Sequence, residues 1–98
     1  MAYYPEDAAA VQRLRDQIKA LGIPLVLFRK FNLLIGAITV QVEDEFASRR
    51  VIETVFAALV QQAEHLRQPE SDKIKELIEA CRVDVEKRLD KRSDRTRS

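Results

Sequence analysis

Residues 23–42, IPLVLFRKFNLLIGAITVQV, decide the fold, because they form the most apolar part of the chain and their spacing fits two kinds of structure. Near the end of this stretch, Ile38, Val40 and Val42 alternate with small or polar residues, which is the periodicity of a strand. Stiff, β-branched side chains are also dense here, and they suit a pleated surface. We therefore expect one or two short strands in this region.

The same stretch also has a helical spacing. Apolar side chains recur three or four residues apart at Phe28, Phe31, Ile35, Ile38 and Val42. A helix through these positions would contain a glycine in its interior, which costs about 1 kcal/mol relative to alanine. The helix therefore stands as the alternative to the strands.

Outside this stretch the chain has the pattern of amphipathic helices. Apolar residues at helical spacing predict three helices, at 5–21, 44–68 and 71–92. Pro5 suits a first helical turn, and Asp44 is a good N-cap for the long central helix. Pro69 ends that helix in a short connection, which predicts that the last two helices are antiparallel neighbours.

The predicted fold class is α+β and mainly helical, in the order helix, one or two short strands, long helix, helix. The alternative is an all-α antiparallel helical bundle. The length of 98 residues indicates one small domain, which we place at 1–92. Residues 90–98 are charged, serine or threonine, so we expect a frayed, basic C-terminal tail.

Composition excludes several classes of protein. Two glycines are too few for a glycine-rich phosphate loop, and one cysteine excludes an intrachain disulfide framework and a multi-cysteine zinc site. Charged residues interrupt the apolar stretch and the N-terminal residues lack a signal pattern, so we expect no membrane partner and a cytoplasmic location. We predict no enzyme activity, no catalytic residue, no metal and no cofactor.

Three groups that carry chemistry elsewhere have ordinary structural interpretations here. Cys81 lies on the apolar stripe of the last predicted helix, which favours a buried thiol. His65 is the single histidine and fits a surface position near a helix end. The acidic run at 43–45 is explained by helix capping. A small metal-dependent enzyme built on these groups is the least favoured function.

Charge is uneven along the chain. Residues 1–81 carry 10 basic and 12 acidic side chains, whereas residues 82–98 carry 7 basic and 4 acidic ones. The basic end and two shorter basic segments supply candidate contacts to a nucleic acid or a protein partner. The candidate contact residues are Thr39, Gln41, Arg49, Arg50, Lys87, Arg88, Lys91 and Arg92.

We predict a small non-enzymatic interaction and oligomerisation module that binds a macromolecular partner. The surplus of apolar residues at 23–42 and 51–60, and the exposed edges of short strands, favour a homodimer. The candidate dimer interface is Val40, Val42 and Phe56.

A dimeric DNA-binding regulator with a strand-helix-helix core is the alternative function. A strand followed by two helices over 37–92 resembles the ribbon-helix-helix repressors in the order of its elements. That resemblance implies that Thr39 and Gln41 face bases while Arg49 and Arg50 face phosphates.

Overall fold

The computed structural model describes residues 4–44 and 46–97, and their side chains as far as residue 92. Four helices follow one another along this part of the chain: α1 at Pro5–Ala20, α2 at Leu25–Glu43, α3 at Arg49–Ala63 and α4 at Glu70–Arg97. The described residues contain no strand, so the predicted α+β class is wrong and the all-helical alternative is confirmed.

The strand prediction failed because α2 is apolar on two opposite faces. Ile38 and Val42 are buried in the core, whereas Val40, between them, lies on the outer face of the same helix. In a helix, residues two apart differ by about 200° around the axis, so an alternating run can label two faces as readily as it labels a strand. The burial of core side chains on α2 outweighs the helix penalty of Gly36.

Short connections with special residues separate the first three helices. Pro5 occupies the first turn of α1, as expected from the sequence. Gly22 follows the end of α1 with φ 71°, a left-handed conformation that side chains other than glycine rarely adopt. Pro24 precedes the first residue of α2.

The start of the third helix differs from the prediction. Asp44 is not its N-cap; it follows the last residue of α2, with extended backbone angles. The hydroxyl of Ser48 caps α3 instead, accepting a hydrogen bond from the backbone N–H of Val51 at 3.3 Å. α3 then ends at Ala63, five residues before the predicted end at 68.

The helices form an antiparallel bundle in which each helix packs against two others. α1 and α3 both lie against α2 and α4. Gln12 in the middle of α1 contacts Thr39 near the end of α2, and Arg49 at the start of α3 pairs with Asp90 late in α4. The largest buried core side chains include Phe31, Phe56, Leu14, Ile18, Ile35, Ile38, Ile52, Leu59, Ile74 and Ile78.

The last helix continues past the predicted domain boundary. Its backbone is helical through Arg97, and Asp90 and Arg92 both form ion pairs with other helices. The segment predicted to fray, 90–98, therefore begins inside a packed part of α4. The side chains from residue 93 onward lie outside the described residues, so a frayed tail stays a prediction for them.

Truncating a buried side chain and an exposed one should change the free energy of unfolding by very different amounts. Phe56→Ala should lower the free energy of unfolding by about 3 kcal/mol or more, because it opens a cavity around a side chain that is 1% exposed. Val40→Ala, at an exposed site, should change it by about 0.5 kcal/mol or less. Urea denaturation of the two variants tests this, and equal losses would contradict the described packing.

Candidate functional site

α2 presents a second apolar face to solvent, opposite its core face. Val26, Leu33 and Val40 lie seven residues apart, which is two helical turns, and are 67%, 76% and 67% exposed. Ala37 lies between them on the same side and is also exposed. We refer to these four residues together with Phe46 as the outer α2 surface. Isolated exposed aliphatic side chains are ordinary, but a continuous stripe along one helix marks an interaction site.

Phe46 extends this surface past the end of the helix. Its ring is 84% exposed, the largest exposure among the large hydrophobic side chains in the described part of the chain. Its backbone N–H donates to Oδ1 of Asp44 at 2.9 Å, which holds the turn between α2 and α3. An exposed aromatic side chain beside an apolar stripe is typical of a partner contact rather than of a core element.

α2 is also long and apolar enough to cross a membrane by length and composition. Only 22% of its most apolar window is buried inside the bundle. Its core face nevertheless supplies four fully buried side chains, namely Phe31, Ile35, Ile38 and Val42. A membrane position for α2 would remove these side chains from the bundle.

Two of the four basic candidates at the end of α4, Arg88 and Arg92, belong to an ionic cluster. Asp7 of α1 is 9% exposed, and its two carboxylate oxygens pair separately with Arg88 and Arg92 of α4. Arg88 also bonds Asp84 one turn earlier at 3.2 Å. These arginines join the first turns of α1 to the last turns of α4.

Arg92 fastens a third element to the same cluster. Its guanidinium donates to the backbone carbonyl oxygens of Val42 and Asp44, where α2 ends. It also lies 3.4 Å from the ring centroid of Tyr4, a cation–π contact. Arg92 is therefore a structural residue in this bundle, not a side chain free for a partner.

The remaining basic candidates are exposed. Lys87 and Lys91 line an open cleft of about 770 Å³ between the start of α1 and the end of α4. Four acidic and four basic side chains line this cleft, so its charges balance. Arg49 pairs with Asp90, while Arg50 is exposed on the first turn of α3. As partner contacts these residues stay predictions.

Thr39 and Gln41, the residues predicted to face bases, are half-buried and form hydrogen bonds within the bundle. The Thr39 hydroxyl donates to the carbonyl of Ile35 and accepts from the amide of Gln12, both at 2.9 Å. The side-chain oxygen of Gln41 accepts from the backbone N–H of Ser48 at 3.3 Å. The described residues form no strand that would carry them into a groove, so the ribbon-helix-helix geometry is absent from this part of the chain.

The predicted dimer residues fall on different faces. Val42 and Phe56 are buried in the core, where a second copy reaches them only by opening the bundle. Val40 is exposed and belongs to the outer α2 surface. Leu33 and Phe46, the two most exposed large hydrophobic residues described, were not singled out from the sequence. The signal for Leu33 was the seven-residue spacing of Val26, Leu33 and Val40, which becomes visible once the stretch is treated as a helix.

The groups considered for chemistry do not meet. Cys81 is buried and its thiol faces the carbonyl of Ala10 at 3.9 Å, so the predicted buried thiol is confirmed. Burial, with a smaller effect of Asp84, raises the pKa of Cys81 to about 12.

His65 is exposed after the end of α3. Among the described residues no cluster of three His, Cys, Asp or Glu side chains is arranged to hold a metal, and Glu45 lies outside them.

Removal of the Arg92 guanidinium should destabilise the bundle. We expect Arg92→Met to lower the free energy of unfolding by about 1–3 kcal/mol, because a nearly buried carboxylate and two carbonyls lose donors. Lys91→Met, the exposed neighbour, is the control and should change it by about 0.5 kcal/mol or less.

A double-mutant cycle by denaturation separates the ion pair from the other contacts of Arg92. In an Asp7→Asn background the loss caused by Arg92→Met should shrink, because the two residues contact each other directly. Equal losses in the two backgrounds would contradict a role for this pair in holding α1 to α4.

The Cys81 thiol should react slowly in the folded chain. At pH 8 we expect labelling at least about 100-fold slower than in denaturant, because burial excludes the reagent and keeps the sulfur protonated. An exposed cysteine introduced as Ala57→Cys, with Cys81→Ala, should label rapidly as the control.

Ionisation of the Cys81 thiol should also make the free energy of unfolding depend on pH. The unfolded thiol ionises near pH 8.5, whereas the folded one keeps its proton to about pH 12. The unfolded state therefore loses its proton first, and this group's contribution to stability falls as the pH rises through that window. Cys81→Ala should lack that part of the decline, and rapid native labelling of Cys81 would contradict the burial.

Comparison with known proteins returned no relative. The chain matches no protein-family profile, no curated protein sequence and no solved structure.

Proposed function

We propose that this chain is a small, non-enzymatic interaction module that binds a macromolecular partner through the outer α2 surface. The single observation that supports this is the exposure of Val26, Leu33 and Val40, all above 60%, on a helix whose opposite face already supplies the core. The bundle does not need these side chains in order to fold.

The energetics favour covering this surface. Burying one large aliphatic side chain contributes about 1.5–3 kcal/mol relative to leaving it in water. The stripe contains three such side chains, and Phe46 adds an aromatic ring beside them. In protein interfaces a few well-packed, fully desolvated side chains carry most of the affinity.

Polar residues border the stripe, as they do in protein interfaces. Arg29 and Lys30 lie near its beginning, and Glu43 lies near its end; the first two are exposed and the third is half-buried. An apolar centre with a charged rim is the usual anatomy of an interface between proteins that associate reversibly. The same pattern suits a protein partner better than a nucleic acid, whose backbone selects continuous positive charge.

A photo-reactive amino acid placed at Leu33 tests this function in cells of the source organism. We expect adducts of discrete mass to protein after irradiation, and we expect the additional change Val40→Asp to abolish them. The same photo-reactive residue at Gln17, exposed on α1, is the matched control and should give none.

Three outcomes would contradict the proposed function. Absence of protein adducts at Leu33 would show that the surface stays uncovered. Adducts to nucleic acid would support the DNA-binding alternative instead. Adducts that survive Val40→Asp would show capture without a specific surface.

A further inference from the structure

The centre of the outer α2 surface has the shape of a self-complementary contact. Leu33, Gly36, Ala37 and Val40 form a compact patch at positions i, i+3, i+4 and i+7 of one helix. The two small residues lie in the middle, between the two large ones. A side chain built on Gly36 would meet no atom within 4 Å, so this side of the helix is open to a close neighbour. Small central residues let two helix backbones approach closely.

Charges along α2 are antisymmetric about the same centre. Arg29 and Lys30 lie roughly 10 Å from the midpoint of the patch in one direction, and Glu43 and Asp44 lie roughly 10 Å from it in the other. None of Arg29, Lys30 and Glu43 forms an ion pair within the part of the chain that the structure describes. One end of the surface is therefore cationic and the other anionic.

We propose that the occupant of the outer α2 surface is a second copy of this chain, packed antiparallel about a two-fold axis between Gly36 and Ala37. The proposal rests on the proposed function, because it names the partner of the same surface. In this register Leu33 faces the partner's Val40, and the small residues face each other. The contact is isologous, so every interaction occurs twice.

The register also pairs the charged ends. Arg29 lies within one residue, about 1.5 Å along the axis, of the partner's Glu43 and on the same side of the helix pair. Lys30 stands in the same relation to the partner's Asp44. A parallel arrangement would instead place Arg29 and Lys30 against their own copies. Electrostatic complementarity therefore selects the antiparallel arrangement and suppresses the parallel one.

The same register provides a contact for the exposed ring beyond the helix. Phe46 follows the anionic end of α2, and Val26 lies at the cationic end, each about ten residues from the axis. The two-fold operation brings Phe46 over the partner's Val26. A lipid surface offers no counterpart for the anionic end, and an unrelated partner needs no antisymmetry of charge about the patch.

Sedimentation equilibrium of the purified chain, from nanomolar to millimolar concentration, tests the partner. We expect a reversible dimer for the wild type and a monomer for Leu33→Asp, with Val40→Asp as a second disrupting variant. Val83→Asp is the matched control, because Val83 is an exposed valine on α4, outside the outer α2 surface, and it should dimerise like the wild type. Circular dichroism verifies that each variant keeps its helix content.

A charge exchange tests the antiparallel register. Arg29→Glu should weaken the dimer about tenfold, because it sets two like charges opposite each other in each of the two symmetric pairs. Adding Glu43→Arg to the same chain should restore the affinity, because the pair is then rebuilt with its signs exchanged. In a parallel dimer Arg29→Glu would leave the affinity unchanged, since a like pair replaces a like pair.

Each contrary result has a distinct meaning. A wild-type monomer at every concentration, or a dimer that survives both aspartate variants, would overturn the second copy as occupant. A monomer that cosediments with phosphatidylcholine and phosphatidylglycerol vesicles would assign the surface to lipid instead. If the purified chain is monomeric while the Leu33 adducts form in cells, the proposed function stands and this inference fails.

Discussion

Burial of one stripe of α2 is the interaction on which the bundle depends. Phe31, Ile35, Ile38 and Val42 are fully buried, and they lie between α1 on one side and α3 on the other. A helix gains most of its stability from the packing of such a face rather than from the propensity of its residues. The branched residues and the glycine of α2 therefore do not prevent it from being helical once its neighbours cover this stripe.

A polar closure at one end complements that apolar core. Asp7, Arg88 and Arg92 connect the first and last helices, and the carbonyls at the end of α2 accept hydrogen bonds from the same guanidinium. Nearly buried charges of this kind are costly when unpaired, so the cluster favours the one arrangement that pairs all of them. The core thus supplies most of the stability, and the ionic end contributes to fixing how α1 and α4 align.

The sequence predicted much of the helical framework and little of the surface. Pro5 and Gly22 mark helix ends by local chemistry, and that chemistry is visible without a structure. Pro69, which was predicted to end the third helix, lies six residues past the end of α3. The class was wrong because β-branched residues on two faces of α2 mimic the alternation of a strand. In a strand, residues seven apart point to opposite faces, so the spacing of Val26, Leu33 and Val40 indicates a common surface only when the stretch is helical. Asp7 and Arg92 are 85 positions apart in the sequence, and no local sequence pattern predicts a contact over that separation.

The distance along the chain between those two residues also bears on how the chain matures during synthesis. A ribosome releases α1 before α4, so the carboxylate of Asp7 waits without its guanidinium partners until the last turns of α4 have emerged. The three earlier helices can collapse around their shared apolar residues in that interval, with α4's place still vacant. The alignment of α1 with α4 through this cluster can therefore form only after α4 has emerged and docked.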